Sequence, residues 1–403
     1  MKEKPEAISE NRGDGRIENR KRNKEETGVI RTASLNMIVV GMTTIMLGTL
    51  LPAMRADYGF AYAFGGTLIS AASVGTVTMN LLSGFLTMRI GQKRSFTALI
   101  GVGILGFVLM LLTRSPAVLL IACLLTGASK GAGSTYSSGI INRLARGDAS
   151  LMNGVHAFFA VGACLAPLLL LISVQGALGW QGAVLILAAL GVIPLVSGMR
   201  MKLREERKET GKKTSSWSFF RERDFWISEG ILFCYMTVET AVIGWAVTYF
   251  SDSGVAAEGY AQVLNIICWA AVLAGRILIV FLAKKLTTAR LLLILSVFAC
   301  AAYLLMLSAH SPGSMFLVMI LLGLGFSGAF GCCITNAGEI FNRYPVSLGV
   351  FTTMASVGSI FVPMWMGAVA DQTGIAAAMR IVVVFFVGQV VFSAVNLFIK
   401  RKQ

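Results

Sequence analysis

The sequence predicts an all-α membrane protein of twelve transmembrane helices in two six-helix bundles. Three observations carry that expectation. Hydrophobic residues make up 56% of the 403 and charged residues only 14%, with a mean hydropathy of +0.74, where a soluble domain carries about 25% charged residues. Apolar runs of about 20 residues recur along the chain, each long enough to cross a bilayer as a helix. A strongly basic stretch, Arg200 to Asp224, sits at mid-chain between two almost continuously apolar halves.

The elements follow in order. Residues 1–31 are polar, carry both signs of charge and show no apolar face, so a disordered cytoplasmic tail is expected. The run 33–53 is too long for a signal-peptide core and lacks an A-x-A cleavage pattern, so it is read as span 1. Spans 2 to 6 fall at 63–87, 96–113, 117–141, 151–173 and 179–198, completing a first bundle within 32–198. The basic linker occupies 199–225. Spans 7 to 12 fall at 226–249, 260–283, 289–308, 315–338, 346–369 and 376–399, a second bundle within 226–399, followed by a short tail, 400–403. The intervening connections are short and polar, as packed antiparallel helices require. No ten-residue alternation suggests a β-barrel.

Charge orients these spans. With the N-terminus inside, the inner segments hold 30 Lys and Arg, and the outer loops hold two, Arg55 and Arg114. Such an asymmetry places both termini in the cytoplasm of a bacterial-type plasma membrane protein. It also accounts for the net charge of +15 without a nucleic-acid partner; the expected partners are lipid, a small solute and protons, with the chain acting as a monomer. All seven cysteines lie inside apolar runs, and Cys332 and Cys333 would point about 100° apart on a helix. They read as packing residues, and no metal or cofactor is expected.

The halves are related by a repeat. Gly127, Val161, Gly162 and Pro167 recur as Gly323, Val357, Gly358 and Pro363, all at an offset of 196. Six helices plus six in parallel repeat is the arrangement of transporters that rock around a midplane site.

Between spans 2 and 3 the chain reads Gly84-Phe-Leu-Thr-Met88-Arg89-Ile-Gly91-Gln-Lys93-Arg94. This resembles the G-x-x-x-D-R-x-G-x-K/R-K/R loop of the major facilitator superfamily, with Met88 where the motif has Asp. The glycines permit a tight turn, and Arg89, Lys93 and Arg94 can face helix C-terminal carbonyls across the bundle interface. Span 5 (Asn153-Gly-Val-His156 through Pro167), span 7 (Tyr235 to Glu239, Gly244-Trp245, Tyr249) and span 8 (Trp269, Gly275-Arg276) are together similar to the sugar-permease branch of fucose, galactose and glucose:proton symporters. That resemblance implies a cavity lined by spans 1, 4, 7 and 10. Its acids in spans 1 and 4 are replaced here: span 1 offers Asn36 and Thr43, span 4 Lys130.

The residues point the same way by themselves. A charge at the bilayer centre costs at least about 2.5 kcal/mol and is retained for function or pairing. Lys130 lies near the middle of span 4, with Thr126, Ser134 and Ser137 at helical spacing, and Glu239 near the middle of span 7, with Tyr235 one turn before it. Span 8 carries a polar stripe, Gln262, Asn265, Trp269 and Arg276, and Asn336 closes span 10. Lys130, Tyr235, Glu239, Gln262, Asn265, Trp269, Arg276 and Asn336 are the expected solute ligands, with Glu239 and His156 as candidate proton carriers. The blander roles are an internal Lys130–Glu239 pair, a snorkelling Arg276, core-filling tryptophans and a hydrogen-bonded His156. No Walker-type loop or catalytic domain is present, so no enzyme is expected. The reading is proton-coupled transport of a small, sugar-like polar solute, with an organic-anion carrier, a drug exporter and a non-transporting sensor as alternatives.

Overall fold

The computed structural model describes residues 10–145, 149–202, 217–254, 256–283, 285–344 and 347–400, and all regular structure among them is helical. Among the described residues, twelve helices are long and apolar enough to cross a membrane: Glu25–Tyr58, Tyr62–Ile90, Gln92–Leu112, Pro116–Ile141, Gly154–Val174, Gly179–Arg200, Arg223–Asp252, Gly259–Ile279, Thr288–Leu307, Pro312–Asn336, Ser347–Thr373 and Ile375–Lys400. We number these spans 1 to 12. They match the predicted runs one for one.

Some features differ from the expectation. The tail expected to be disordered is helical from Glu10, continuous with span 1 in a helix Glu10–Tyr58; residues 1–9 lie outside the described residues. Its Glu, Lys and Arg are good helix formers, and a helix nucleated by span 1 extends into them without a new nucleus. Val29 is buried, Thr32 meets Ser197 of span 6 at 2.8 Å, and Glu25 pairs with Lys202 at 3.5 Å. Residues 203–216 of the linker lie outside the described residues. Its end is structured: a 3-10 turn, Trp217–Arg221, buries Phe219 against Phe225 with ring centroids 5.1 Å apart. Spans 10, 11 and 12 are interrupted. Span 10 divides into Pro312–Phe326 and Ala329–Asn336, span 11 into Ser347–Ala355 and Val357–Thr373, and span 12 into Ile375–Ile381 and Val383–Lys400.

The repeat read from sequence is a packing repeat. Gly127 of span 4 lies against the backbone of Ala72 in span 2, and Gly323 of span 10 against the backbone of Cys268 in span 8. Ala72 and Cys268 are themselves 196 apart. Likewise Gly162 brings span 5 onto Ile38 of span 1, and Gly358 brings span 11 onto Thr237 of span 7. Small residues matter here because lipid supplies no hydrophobic drive between helices, and close backbone approach is what binds them.

Candidate functional site

The two halves meet along a seam formed by spans 1 with 7, 2 with 11, and 5 with 8. We call the membrane face that carries Trp217–Arg221 the linker face, and the opposite one the far face. On the far side the seam is tight. Gly48 of span 1 abuts the backbone of Ile243 and Gly244 in span 7, so two glycines at the repeat offset of 196 meet each other. Ala63 against Gly367 and Gly259 against Leu171 form a second pair of contacts related by the same offset.

Polar groups close this end further. Arg55 pairs with Asp252 at 2.5 Å and lays its guanidinium 3.4 Å from the Tyr62 ring centroid. The Tyr62 hydroxyl donates to the same Asp252 carboxylate at 2.8 Å. Asp371 of span 11 accepts from the backbone N–H of Tyr62 and of Ala63, each at 2.8 Å. It thus caps the N-terminus of span 2 from the other half of the molecule. Deeper in, Gln262 Nε2 donates to the Thr49 carbonyl at 2.9 Å, and Asn265 Nδ2 lies 3.5 Å from Thr49 Oγ1.

Toward mid-membrane the seam changes character. Lys130, His156, Glu239 and Arg276 are all half-buried. Glu239 feels the charges of both Lys130 and Arg276, and His156 that of Arg276, so the four look at one another from opposite halves. They do not collapse into an ion pair: Lys130 and Glu239 do not approach within 4.0 Å, and Lys130 and Arg276 have no carboxylate partner among the described residues. Lys130 also borders a small cleft inside the first half, lined by Asn36, Thr43, Thr126 and Ser129. Asn36 is fixed there by bonds to the Gly133 carbonyl (3.1 Å) and Ser137 Oγ (3.0 Å). Glu239 accepts a 2.7 Å bond from the Tyr235 hydroxyl.

The structure sorts the expected ligands into two groups. Lys130, Glu239, Arg276 and His156 lie within electrostatic reach across the seam, His156 held by Ser138 at 3.2 Å. The neutral candidates are more deeply buried. Tyr235, Gln262, Asn265 and Trp269 are only 2%, 1%, 3% and 3% exposed. Each has a partner: Tyr235 the Glu239 carboxylate, Gln262 and Asn265 the Thr49 backbone and hydroxyl, Trp269 an edge-to-face contact with Phe159 across the seam at 6.1 Å. In this state Gln262, Asn265 and Trp269 hold the two halves together across the seam, whereas Tyr235 is bonded to Glu239 within the second half. Asn336 donates to Ser228 (2.9 Å) and Asn396 (3.1 Å) inside the second half.

The loop motif is a one-residue turn. Gly91 has φ of 85°, a left-handed value that favours glycine, and joins span 2 directly to span 3. Gly84 is exposed with open space beside it. Arg89 lies 4.9 Å over the ring of Phe85 on its own helix, not across the interface; Lys93 is half-buried and Arg94 exposed.

Sequence reasoning missed the far-side clamp and one acid. Arg55 and Asp252 lie 197 apart, so the repeat offset could have paired them. Glu229 in span 7 is 5% exposed, and neither carboxylate oxygen finds a hydrogen-bond partner. Its place inside an apolar run was the signal.

Two repeated bundles, a seam sealed at one end and an unpaired charge cluster at its centre describe a membrane carrier. Residues 33–363 match the Major Facilitator Superfamily. The chain belongs to that superfamily, as the loop motif had suggested, and is an integral, multi-pass membrane transporter. It is 24% identical over 365 residues to the uncharacterized MFS-type transporter YfkL of Bacillus subtilis (strain 168), covering 87% of this chain and 92% of that protein. Among solved structures it resembles the D-xylose-proton symporter, with a TM-score of 0.76 at 14% identity, 92% of this chain and 97% of that one being covered. It also resembles the nucleoside transporter NupG, with a TM-score of 0.71 at 15% identity and coverage of 93% and 98%. At these identities the likeness is one of fold.

Proposed function

We propose that this protein moves a small, polar, sugar-like solute together with protons by alternating access. Its two halves rock about the cluster of Lys130, His156, Glu239 and Arg276. The observation that carries the reading is that these charges, at a depth where each costs a few kcal/mol, stay apart instead of closing into a salt bridge. A site that keeps its charges unpaired keeps them for something that comes and goes. The tight far-side seam fits a state closed there and open toward the linker. With the positive-inside charge distribution, the linker face is cytoplasmic and the chain sits in the plasma membrane. Glu239 is the proton-binding group of this scheme. The solved neighbours named for xylose–proton symport and nucleoside transport support a polar solute of that size.

A second reading, a small organic anion as solute, is favoured by the presence of two cations, Lys130 and Arg276, against the single carboxylate of Glu239. Thermal stability of the purified protein against D-xylose, uridine and lactate separates the two. A bound solute at about one hundred times its Kd stabilises by about 2.7 kcal/mol. Stabilisation by xylose or uridine upholds the first reading, and stabilisation by lactate alone transfers the proposal to the second. Glu239→Gln should then abolish pH-gradient-driven uptake of the stabilising solute while sparing exchange; unchanged pH dependence would remove Glu239 from the proton path.

A further inference from the structure

Span 10 is broken at Ser327–Gly328, and a helix end leaves carbonyls without their partners. Ser327 returns to the Leu324 carbonyl through its own hydroxyl at 2.7 Å. The carbonyl of Phe326, the last residue of the first segment, is taken by another helix: the Tyr235 hydroxyl lies 3.1 Å from it. The same hydroxyl lies 2.7 Å from Glu239 Oε1. A phenol has one proton to donate, so these two acceptors compete for it.

We propose that Tyr235 is a positioning residue that transmits the protonation state of Glu239 to the break in span 10. This rests on the reading above that Glu239 carries the transported proton. When Glu239 is a carboxylate, the Tyr235 proton is drawn to Oε1, the shorter and charge-assisted bond, and the Phe326 carbonyl is held weakly. When Glu239 gains a proton, its own O–H donates to the Tyr235 oxygen, and the phenol proton turns to the Phe326 carbonyl. Each state keeps every proton placed, and only the second ties span 7 to the end of the first segment of span 10.

The surroundings suit such a relay. Tyr235 is 2% exposed, so water does not compete for its hydroxyl. The Phe326 ring packs edge-on against Tyr235 at 6.1 Å and stacks on Phe386, which stacks on Tyr303 at 4.4 Å, so the near side of the break is anchored. On its other side a side chain at Gly328 would meet the side chain of Ile279, Gly331 has open space beside it, and the segment ends where Asn336 reaches Ser228 and Asn396. The break thus divides span 10 into a far-side segment anchored by its aromatic stack and a linker-side segment, Ala329–Asn336, joined to it without a continuous helix. The titratable and charged groups facing this pair are Lys130 from span 4, Arg276 and Cys268 from span 8, and Cys333 from span 10.

Infrared difference spectra of the full-length protein in lipid, taken across a pH titration without solute, test the relay. Wild type should show a carboxyl band that titrates and, with the same midpoint, an amide carbonyl band from the change at Phe326. Tyr235→Phe should keep the carboxyl titration and lose the amide band. Glu239→Asp, one methylene shorter, should likewise keep a titrating carboxyl and lose most of the amide signal, a second route should the phenylalanine variant fold poorly. Glu239→Gln should lose the amide band and the carboxyl band that shares its midpoint, leaving any signal of the buried Glu229 as in wild type. An amide band that survives in Tyr235→Phe with its midpoint unchanged overturns the relay. A carboxyl titration identical in wild type and Glu239→Gln removes the proton assignment on which the relay stands, and the two failures are told apart by which band persists.

Discussion

Thr43 and Glu239 occupy equivalent positions in the two halves, 196 residues apart, and they do different things. Thr43 turns its hydroxyl back to the Val39 carbonyl of its own helix at 2.8 Å. Glu239 faces the other half and accepts a hydrogen bond from Tyr235, the residue equivalent to Val39. The same inversion holds elsewhere: Lys130 corresponds to Phe326 and Arg276 to Asn80. The packing contacts, by contrast, obey the offset, as at Gly127 and Gly323, Ala63 and Gly259, and Gly48 against Gly244. Contacts that hold helices together constrain both halves alike. Positions that face a solute or a proton are free to differ, because one solute touches both halves at once and needs opposite chemistry from each.

The largest effect expected comes from breaking the symmetric part. At Gly48 a side chain would meet the backbone of Ile243 and Gly244 rather than a flexible side chain, so the neighbour has nothing to move. Gly48→Leu should destabilise by about 3 kcal/mol, the upper range for overpacking, and abolish uptake even where some protein folds. Gly331→Leu, at a glycine with open space beside it, should leave thermal stability near wild type. Equal damage at both positions, measured as thermal midpoint in detergent, would break the distinction between scaffold and site.

Next in size is an attempt to move the acid between halves. Glu239→Thr should reduce pH-driven uptake of the stabilising solute at least ten-fold. Adding Thr43→Glu should not restore it, because Val39 offers no hydroxyl where Tyr235 stands. Restoration in the double variant would show that the acid works from either half, and that the asymmetry is incidental. Lys130→Gln sharpens the choice of solute. If the bound solute is an anion, removing a charged hydrogen-bond donor worth roughly 1.5–3 kcal/mol should weaken binding about ten- to a hundred-fold, read by calorimetry, with neutral solutes unaffected.

The spans were legible in the sequence because bilayer thickness sets a length that hydrophobicity marks directly, and alternate basic loops order them. Lys130, Glu239 and Arg276 were legible because charge at that depth is rare. The roles of Gln262 and Asn265 were not: a polar stripe on an apolar helix marks a contact that needs polarity, and Thr49 on another helix satisfies it as well as a solute would. Nor was the division of span 10, since its glycines at 323, 325, 328 and 331 read equally as packing residues; only Tyr235 on the Phe326 carbonyl shows which of them interrupts the helix. The far-side clamp lay within reach. Applying the offset to Gly48 gives Gly244, and applying it to Arg55 gives a position next to Asp252.

The smallest expected effect tests whether the clamp shares the symmetry of the glycine contacts or departs from it. Asp371 caps span 2 through two backbone N–H groups, and its equivalent in the first half is Gln175. A carboxylate at a helix N-terminus satisfies orphan donors and meets the positive end of the helix dipole, for about 1 kcal/mol. Asp371→Ala should therefore lower the thermal midpoint by about 2 °C and, by loosening only the far-side seam, raise the accessibility of Tyr62 and Asp252 to water. Asp371→Asn, which keeps an acceptor and loses the charge, should recover about half of the loss. Gln175→Ala should change neither quantity. A matching fall at Gln175 would mean that both halves use a capping contact at this end and that the clamp belongs to the scaffold; silence there, with a response at Asp371, places the clamp with the charge cluster among the features by which the two halves have parted.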